Sequence, residues 1–348
     1  MEVSIGFRPL TNYILQRTAA EKGRIGWIAK TCNVKTIAPP SFDFHGLRLT
    51  HSVINLRYCT IPPHFFPIIL HPNHNNMQKP NKRLEQQTCI ITGSSGGIGA
   101  AVAKALGTEG ANIVVNYRSS KEAAEEVAHW INTHQSCGEA IVLKCDVSKE
   151  EDVKALFKQT ISHFGTVDVC VANAGLQIDH PLHEMPLEAW KKVLDVNLTG
   201  QFLCAKEAIN EFLRRGLREE VSSSLGKIIH MSSVHEEIPW AGHANYAASK
   251  GGLLMLMESI CQAYAPHKIR CNSIAPGAIK TDINKDVWST EQGKKDMLKL
   301  IPYKRIGVPE DIGSVASWLA SDESEYINGT TIFVDGGMTC YPGFTTNG

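Results

Sequence analysis

Tyr246 and Lys250 stand four residues apart in the run Tyr246-Ala247-Ala248-Ser249-Lys250. On a helix that spacing puts both side chains on one face, with the ammonium near the phenol. A neighbouring positive charge favours phenolate and draws the tyrosine pKa toward working pH, which makes it a usable general acid or base. Thirteen residues upstream of the tyrosine lies Ser233, preceded by Ser232, at the end of an apolar run. A hydroxyl there can return to the phenol and hydrogen-bond a reacting oxygen. The spacing selects Ser233 and leaves Ser232 as its structural neighbour, with the reversed assignment still open. Singly these residues are ordinary, since Tyr-x-x-x-Lys is a common helix-surface spacing and Ser-Ser often ends a strand. Their conjunction with a second feature makes the ordinary account improbable.

That feature is Thr92-Gly93-Ser94-Ser95-Gly96-Gly97-Ile98-Gly99, which joins the first apolar run to the helical pattern Ala100 to Leu106. Glycines in such a turn let backbone N–H groups approach a pyrophosphate, and the helix N-terminus adds partial positive charge. Between a first strand and a helix the turn points to a dinucleotide, with Gly93, Ser95, Gly97, Ile98 and Gly99 as candidate contacts. The second run ends Asn116-Tyr117-Arg118-Ser119-Ser120. No acid is present there to accept hydrogen bonds from the ribose hydroxyls of NAD, whereas the Arg118 guanidinium, with Ser119 beside it, suits a 2′-phosphate. NADP is the expected preference, with NAD use left open. A solvated loop cation is the ordinary alternative for Arg118.

Seven short apolar runs must position these residues: 88–92, 112–116, 140–143, 167–171, 227–231, 269–274 and 331–334. Consecutive early runs are about 20–25 residues apart, enough for the crossover helix that parallel strands require. The alternation predicts an α/β fold: a single Rossmann-type doubly wound domain with a seven-stranded parallel sheet flanked by helices. A length of 348 residues invites a two-domain reading, but the pattern assigns one domain, 77–348, behind an N-terminal segment, 1–76.

The composition, 43% hydrophobic with 35 Lys and Arg against 35 Asp and Glu, is that of a globular protein with no general attraction to nucleic acid or anionic membrane. That neutrality is a cancellation. Residues 1–76 carry eight Lys and Arg against three Asp and Glu, so the remainder is net acidic. The leader lacks sustained periodicity, a membrane-spanning run or a signal-peptide layout. It is expected to be disordered, or to precede a natural start at Met77, with an organelle transit peptide as the alternative. Ten dispersed cysteines form no C-x-x-C pair, which suits a reducing compartment and a cytoplasmic location. His71 and His74 have no second pair in zinc-ligand spacing, and no metal is expected.

In these motifs the chain resembles the short-chain dehydrogenase/reductase family, over about residues 83–344. Asn173-Ala174-Gly175 closes the fourth run, where the family stabilises the sheet and borders the cofactor. Asp146-Val147 is similar to the family's adenine contact. Asn197, in Asp195-Val196-Asn197-Leu198, corresponds to the asparagine that holds a relay water. Pro276-Gly277 with Ile279 and Thr281 resembles the loop that grips the nicotinamide carboxamide. The resemblance implies that Tyr246 exchanges the hydroxyl proton, Lys250 binds the nicotinamide ribose and tunes Tyr246, Ser233 orients substrate and Asn197 completes the relay. Hydride would pass between a substrate carbon and nicotinamide C4.

Within the family, residues 231–240, 275–284 and 335–344 are similar to bacterial glucose 1-dehydrogenases, which oxidise β-D-glucose at C1 to the lactone. Such a small-molecule substrate needs several fixed polar partners, and His235, Gln177 and Asn284 are the candidates. Two departures bear on the sugar: Gln177 stands where the group usually has glutamate, and the loop from Ala241 to Asn245 is less apolar. An NADPH-dependent carbonyl or 3-oxoacyl reductase is the alternative within enzymes, and a non-enzymatic NADP-binding regulator is the alternative outside them. By resemblance, the helical stretches 187–212 and 246–264 would assemble a homotetramer.

Overall fold

The computed structural model describes residues 13–18, 26–31, 82–135 and 137–340. The chain divides into two compact units, 1–70 and 71–348. In the first, strands β1 (Tyr13–Thr18) and β2 (Gly26–Thr31) pair antiparallel, with Tyr13 opposite Thr31. The rest of the expected leader, and the expected start at Met77, lie outside the described residues.

The second unit runs β3 (Thr88–Ile91), α1 (Gly97–Thr108), β4 (Asn112–Tyr117), α2 (Lys121–Thr133), β5 (Ala140–Lys144), α3 (Glu150–Phe164), β6 (Val169–Ala172), α4 (Leu187–Leu194), α5 (Gly200–Arg215), β7 (Gly226–Met231), α6 (Ala244–Tyr264), β8 (Ile269–Pro276), α7 (Lys285–Trp288), α8 (Glu291–Lys299), α9 (Pro309–Ala320) and β9 (Thr331–Val334). The seven apolar runs form one parallel sheet in the order β5-β4-β3-β6-β7-β8-β9. Every residue of β3, β6, β7 and β8 is buried, as strands covered on both faces must be.

Two apolar cores make that cover. On one face Leu106 of α1, Ile131 of α2 and Leu319 of α9 pack against Ile91 and Ile113. On the other, Leu156 of α3, Phe212 of α5 and Met257 of α6 pack against Ile90 and Ile228. Buried thiols serve as small hydrophobes in these cores: desolvation pushes Cys145 and Cys170 up to about 12. Among the described residues no helix is long and apolar enough to cross a membrane.

The chain winds outward from β3 through β4 to β5, then returns to the other side of β3 and winds the opposite way from β6. A crevice opens where that order reverses, at the carboxyl ends of β3 and β6. The amino ends of β3, β7 and β8 carry a buried polar network instead. Lys227, 1% exposed, donates to Gln87 Oε1 at 2.8 Å and Ser222 Oγ at 2.6 Å, with Asp322 at 3.4 Å. Arg270 donates to Ser224, Ser324 and the Ser321 carbonyl. Desolvation pushes the Lys227 ammonium down to about 8, so its hydrogen bonds must offset a real burial cost. Lys227→Met leaves Gln87 and Ser222 without their buried donor and is expected to cost about 1–3 kcal/mol. Thermal and denaturant unfolding check this, and an unchanged midpoint would show that the network contributes no net stability.

Candidate active site

The crevice is a cleft of about 1270 Å³, lined at one end by the glycine turn and at the other by Ser233 and Tyr246. The turn is shaped for close approach. Gly93 and Gly97 have φ of +61° and +53°, and a Cβ on Gly99 would lie 2.4 Å from the Gly93 carbonyl oxygen and 2.6 Å from Asn173 Nδ2. Gly96 precedes α1 without a capping side chain, and the first turn of the helix holds no acid. Its free N–H groups and positive dipole end therefore face the cleft uncompensated, which fits a dinucleotide pyrophosphate.

Two residues given no role from the sequence hold this turn. Thr92 Oγ1 accepts from the N–H groups of Asn173 and Ala174 at 2.9 and 3.0 Å, while Asn173 Nδ2 donates back to the Thr92 carbonyl at 2.9 Å. Asn116, at the end of β4, accepts from Gly93 N at 2.9 Å through Oδ1 and donates to the Leu143 carbonyl at 3.2 Å and the Cys145 carbonyl at 3.3 Å through Nδ2. The carboxyl ends of β3, β4, β5 and β6 are thereby tied together. Asn is a turn former at a strand end, and that is all the sequence could say of it. Of the expected cofactor residues, Ser95, Ile98, Arg118, Ser119, Asp146, Val147, Gly175, Pro276, Gly277, Ile279 and Thr281 all line the same cleft, as does Ala174.

Tyr246 and Lys250 sit on the first two turns of α6, with Lys250 Nζ 5.4 Å from the Tyr246 ring centroid. The Ser233 hydroxyl reaches the phenol. Both serines line the cleft, and the Ser232 hydroxyl donates to the Glu236 carboxylate. The ammonium is 3% exposed and donates to the Met231 carbonyl at 2.7 Å. Desolvation pushes it down to about 8. Desolvation likewise holds the Tyr246 phenol above its ordinary value, with Ser233 opposing. The causes acting on the phenol are burial and Ser233, and the ammonium is turned to the Met231 carbonyl.

Asn197 lies in a π-turn, Asp195–Thr199, between α4 and α5 and is fully buried. Its Oδ1 accepts from Leu176 N at 2.8 Å, and its Nδ2 donates to the Leu176 carbonyl at 2.9 Å and to Ser249 Oγ at 3.3 Å. The side chain is committed to the cleft wall rather than to the cleft itself. Gln177, His235 and Asn284 line the cleft. His235 Nδ1 contacts the Ile238 carbonyl at 2.9 Å, and desolvation lowers its pKa, so the ring is neutral with Nε2 as an acceptor. Asn284 Oδ1 is occupied by the N–H and hydroxyl of Thr281, each at 3.2 Å, which leaves its amide donors.

Apolar walls escaped the sequence because they come from distant segments: Leu176, Ile238, Trp240, Met297, Leu300 and Met338. Trp240 is stacked against His235 at 4.3 Å and His243 at 3.5 Å and remains exposed. Among the described residues no group of His, Cys, Asp and Glu is placed to hold a metal ion.

Asn116→Ala removes the acceptor for Gly93 N and two cross-strand donors. Dinucleotide binding is expected to weaken about tenfold, equivalent to about 1.4 kcal/mol, while the fold persists. Fluorescence titration of the variant reads this directly, and wild-type affinity would show that the turn holds its shape unaided.

The sequence profile of the family described as enoyl-(acyl carrier protein) reductase matches residues 93–339. The chain is 46% identical over 261 residues to 3beta-hydroxysteroid dehydrogenase 1 of Eggerthella lenta, covering 75% of this chain and 97% of that one. It is 44% identical over 262 residues to glucose 1-dehydrogenase 2 of Bacillus subtilis, covering 75% and 98%. Among solved structures, a gluconate 5-dehydrogenase of Burkholderia cenocepacia in complex with NADP and tartrate matches with a TM-score of 0.67 and 33% identity, covering 74% and 97%. Likeness of this extent, over nearly the whole of each relative and on the same parallel sheet, means that the chain belongs to the short-chain dehydrogenase/reductase family of nicotinamide-dependent oxidoreductases.

Proposed function

We propose that this oxidoreductase prefers NADP and oxidises β-D-glucose, or a related aldose, at C1 to the lactone. One arrangement carries the proposal: the polar groups of Gln177, His235 and Asn284 line the same cleft as Ser233 and Tyr246. A polyhydroxylated ring rewards such a set, because each site group left unpaired by a wrong substrate costs about 1–3 kcal/mol. Tyr246 takes the hydroxyl proton, Ser233 orients the reacting oxygen, and Lys250 supplies the positive charge that offsets the buried phenolate. Asn197 positions Leu176 in the cleft wall. The nicotinamide, when bound, accepts the hydride. Arg118, just past the end of β4, lines the cleft with Ser119, Asp146 and Val147, and its guanidinium suits a 2′-phosphate. The Bacillus subtilis relative and the NADP complex of the gluconate 5-dehydrogenase support these choices of substrate and cofactor.

A second proposal, an NADPH-dependent reductase of carbonyl or 3-oxoacyl substrates, is favoured by the apolar walls at Ile238, Trp240, Met297 and Leu300. The relative named for 3beta-hydroxysteroid activity favours a bulky apolar substrate on the same grounds. A cytoplasmic homotetramer completes the proposal. Phe202 and Leu213 of α5 and Met255 of α6 are exposed, as apolar residues at subunit contacts would be in an isolated chain.

Initial rates decide between the substrates. The panel is glucose and other aldoses, a 3β-hydroxysteroid and an acetoacetyl thioester, each with NAD(H) and NADP(H). Glucose with NADP is expected to give the highest kcat/KM, and preference for the steroid or thioester would replace the sugar assignment. In Tyr246→Phe, kcat is expected to fall at least about 100-fold with cofactor affinity retained. Near-normal turnover in that variant would sink the role given to the phenol.

A further inference from the structure

A half-buried carboxylate lies in the turn after Ser233, and none of the roles above uses it. Glu236 ends the short turn Val234–Glu236 that follows Ser233 and packs against α6. One carboxylate oxygen accepts the Ser232 hydroxyl. The other, Oε1, is buried without a hydrogen-bond partner, close to the Thr331 hydroxyl of β9. Ser232 directly follows Met231, whose carbonyl accepts from Lys250 Nζ at 2.7 Å and from Gln201 Nε2 at 3.2 Å. One strand end thus holds an ammonium and a carboxylate through consecutive residues, and Glu236 is the acid whose field raises the Lys250 pKa against desolvation. In a site of low effective dielectric such a field counts for more than in water.

We propose that Glu236 is a positioning residue that keeps Lys250 an ammonium inside the dry cleft, with Ser232 anchoring the carboxylate for that task. Resting on the acid–base role proposed for Tyr246, the assignment extends the reacting group from three side chains to a supporting fourth. The other titratable groups around the pair are Tyr246 of α6, His230 of β7, and His235 and Glu237 of the turn. His230 is fully buried, bonded through Nδ1 to Gln201 Oε1 at 2.8 Å, and pushed down to about 4 by desolvation, so it stays neutral and contributes no charge of its own.

Removing an anion favours the deprotonated form of each neighbour, so in Glu236→Gln both limbs of the rate profile move to lower pH. The alkaline limb, where Lys250 loses its proton, moves more, by about one pH unit. Gln still accepts the Ser232 hydroxyl, so a merely structural role would leave the profile in place. The experiment measures kcat against pH for glucose oxidation by NADP in the wild-type enzyme, Glu236→Gln and Glu236→Asp. The expected result is a shifted profile in the Gln variant and a profile restored toward wild type in the Asp variant. An unshifted Gln profile, or an equal shift in both variants, overturns the proposal. A reciprocal measurement needs no change at Glu236 and no turnover. In Lys250→Met, loss of the cation raises the pH at which Glu236 takes up its proton, read from its carboxyl stretch in difference infrared spectra. An unchanged Glu236 titration there also overturns the proposal. Activity retained in Tyr246→Phe would overturn the acid–base role itself, whereas an inactive Tyr246→Phe beside an unshifted Glu236→Gln removes only the part given to Glu236.

Discussion

Everything in the second unit depends on the reversal of strand order between β3 and β6. Crossover helices on both faces cover a parallel sheet completely, except where two neighbouring strands send their chains in opposite directions. There the carboxyl ends are left bare, and backbone groups that would otherwise be capped by helices face a cleft. The structure concentrates its polar stitching at that point: Thr92 joins β3 to β6, and Asn116 joins β4 to the glycine turn and to β5. These bonds hold open a turn whose glycines have no side chains with which to hold themselves.

The same crevice sets the electrostatics of the proposed reacting group. Water is scarce at Tyr246 and Lys250, so both neutral forms gain, and the ammonium is held by Met231 and by the field of Glu236 rather than by solvent. Burial of this kind raises the worth of every nearby charge. Ser233 and Glu236 sit in the short segment that follows β7, and Gln201 reaches the Met231 carbonyl from the first turn of α5. At the amino ends of β7 and β8, Lys227 and Arg270 are buried in hydrogen-bond networks with Gln87 and the serines of neighbouring loops.

The seven strands were legible in the chain because a doubly covered parallel strand is a short unbroken apolar run, a local property. The glycine turn and the Tyr246–Lys250 pair were legible for the same reason: their spacing lies within one helix or one strand-to-helix junction. Asn116 and Thr92 were not, since an Asn or Thr at a strand end has many uses and its partner lies on another strand. Helical spacing brings a lysine toward a phenol, but it does not reveal that both are dry or that a carbonyl competes for the ammonium.

By itself, then, the sequence determined the strand and helix alternation, the glycine turn between β3 and α1, and the tyrosine and lysine that share a helix face, because each rests on contacts within about a dozen residues or on a repeating pattern of burial. Only the tertiary structure decided what surrounds them. The cleft walls join Leu176, Trp240, Met297 and Met338 from four separate segments, Asn197 turns away to hold Leu176, and Glu236 comes to rest behind Lys250. Desolvation and long-range packing act through space, and neither leaves a spacing in the chain to read.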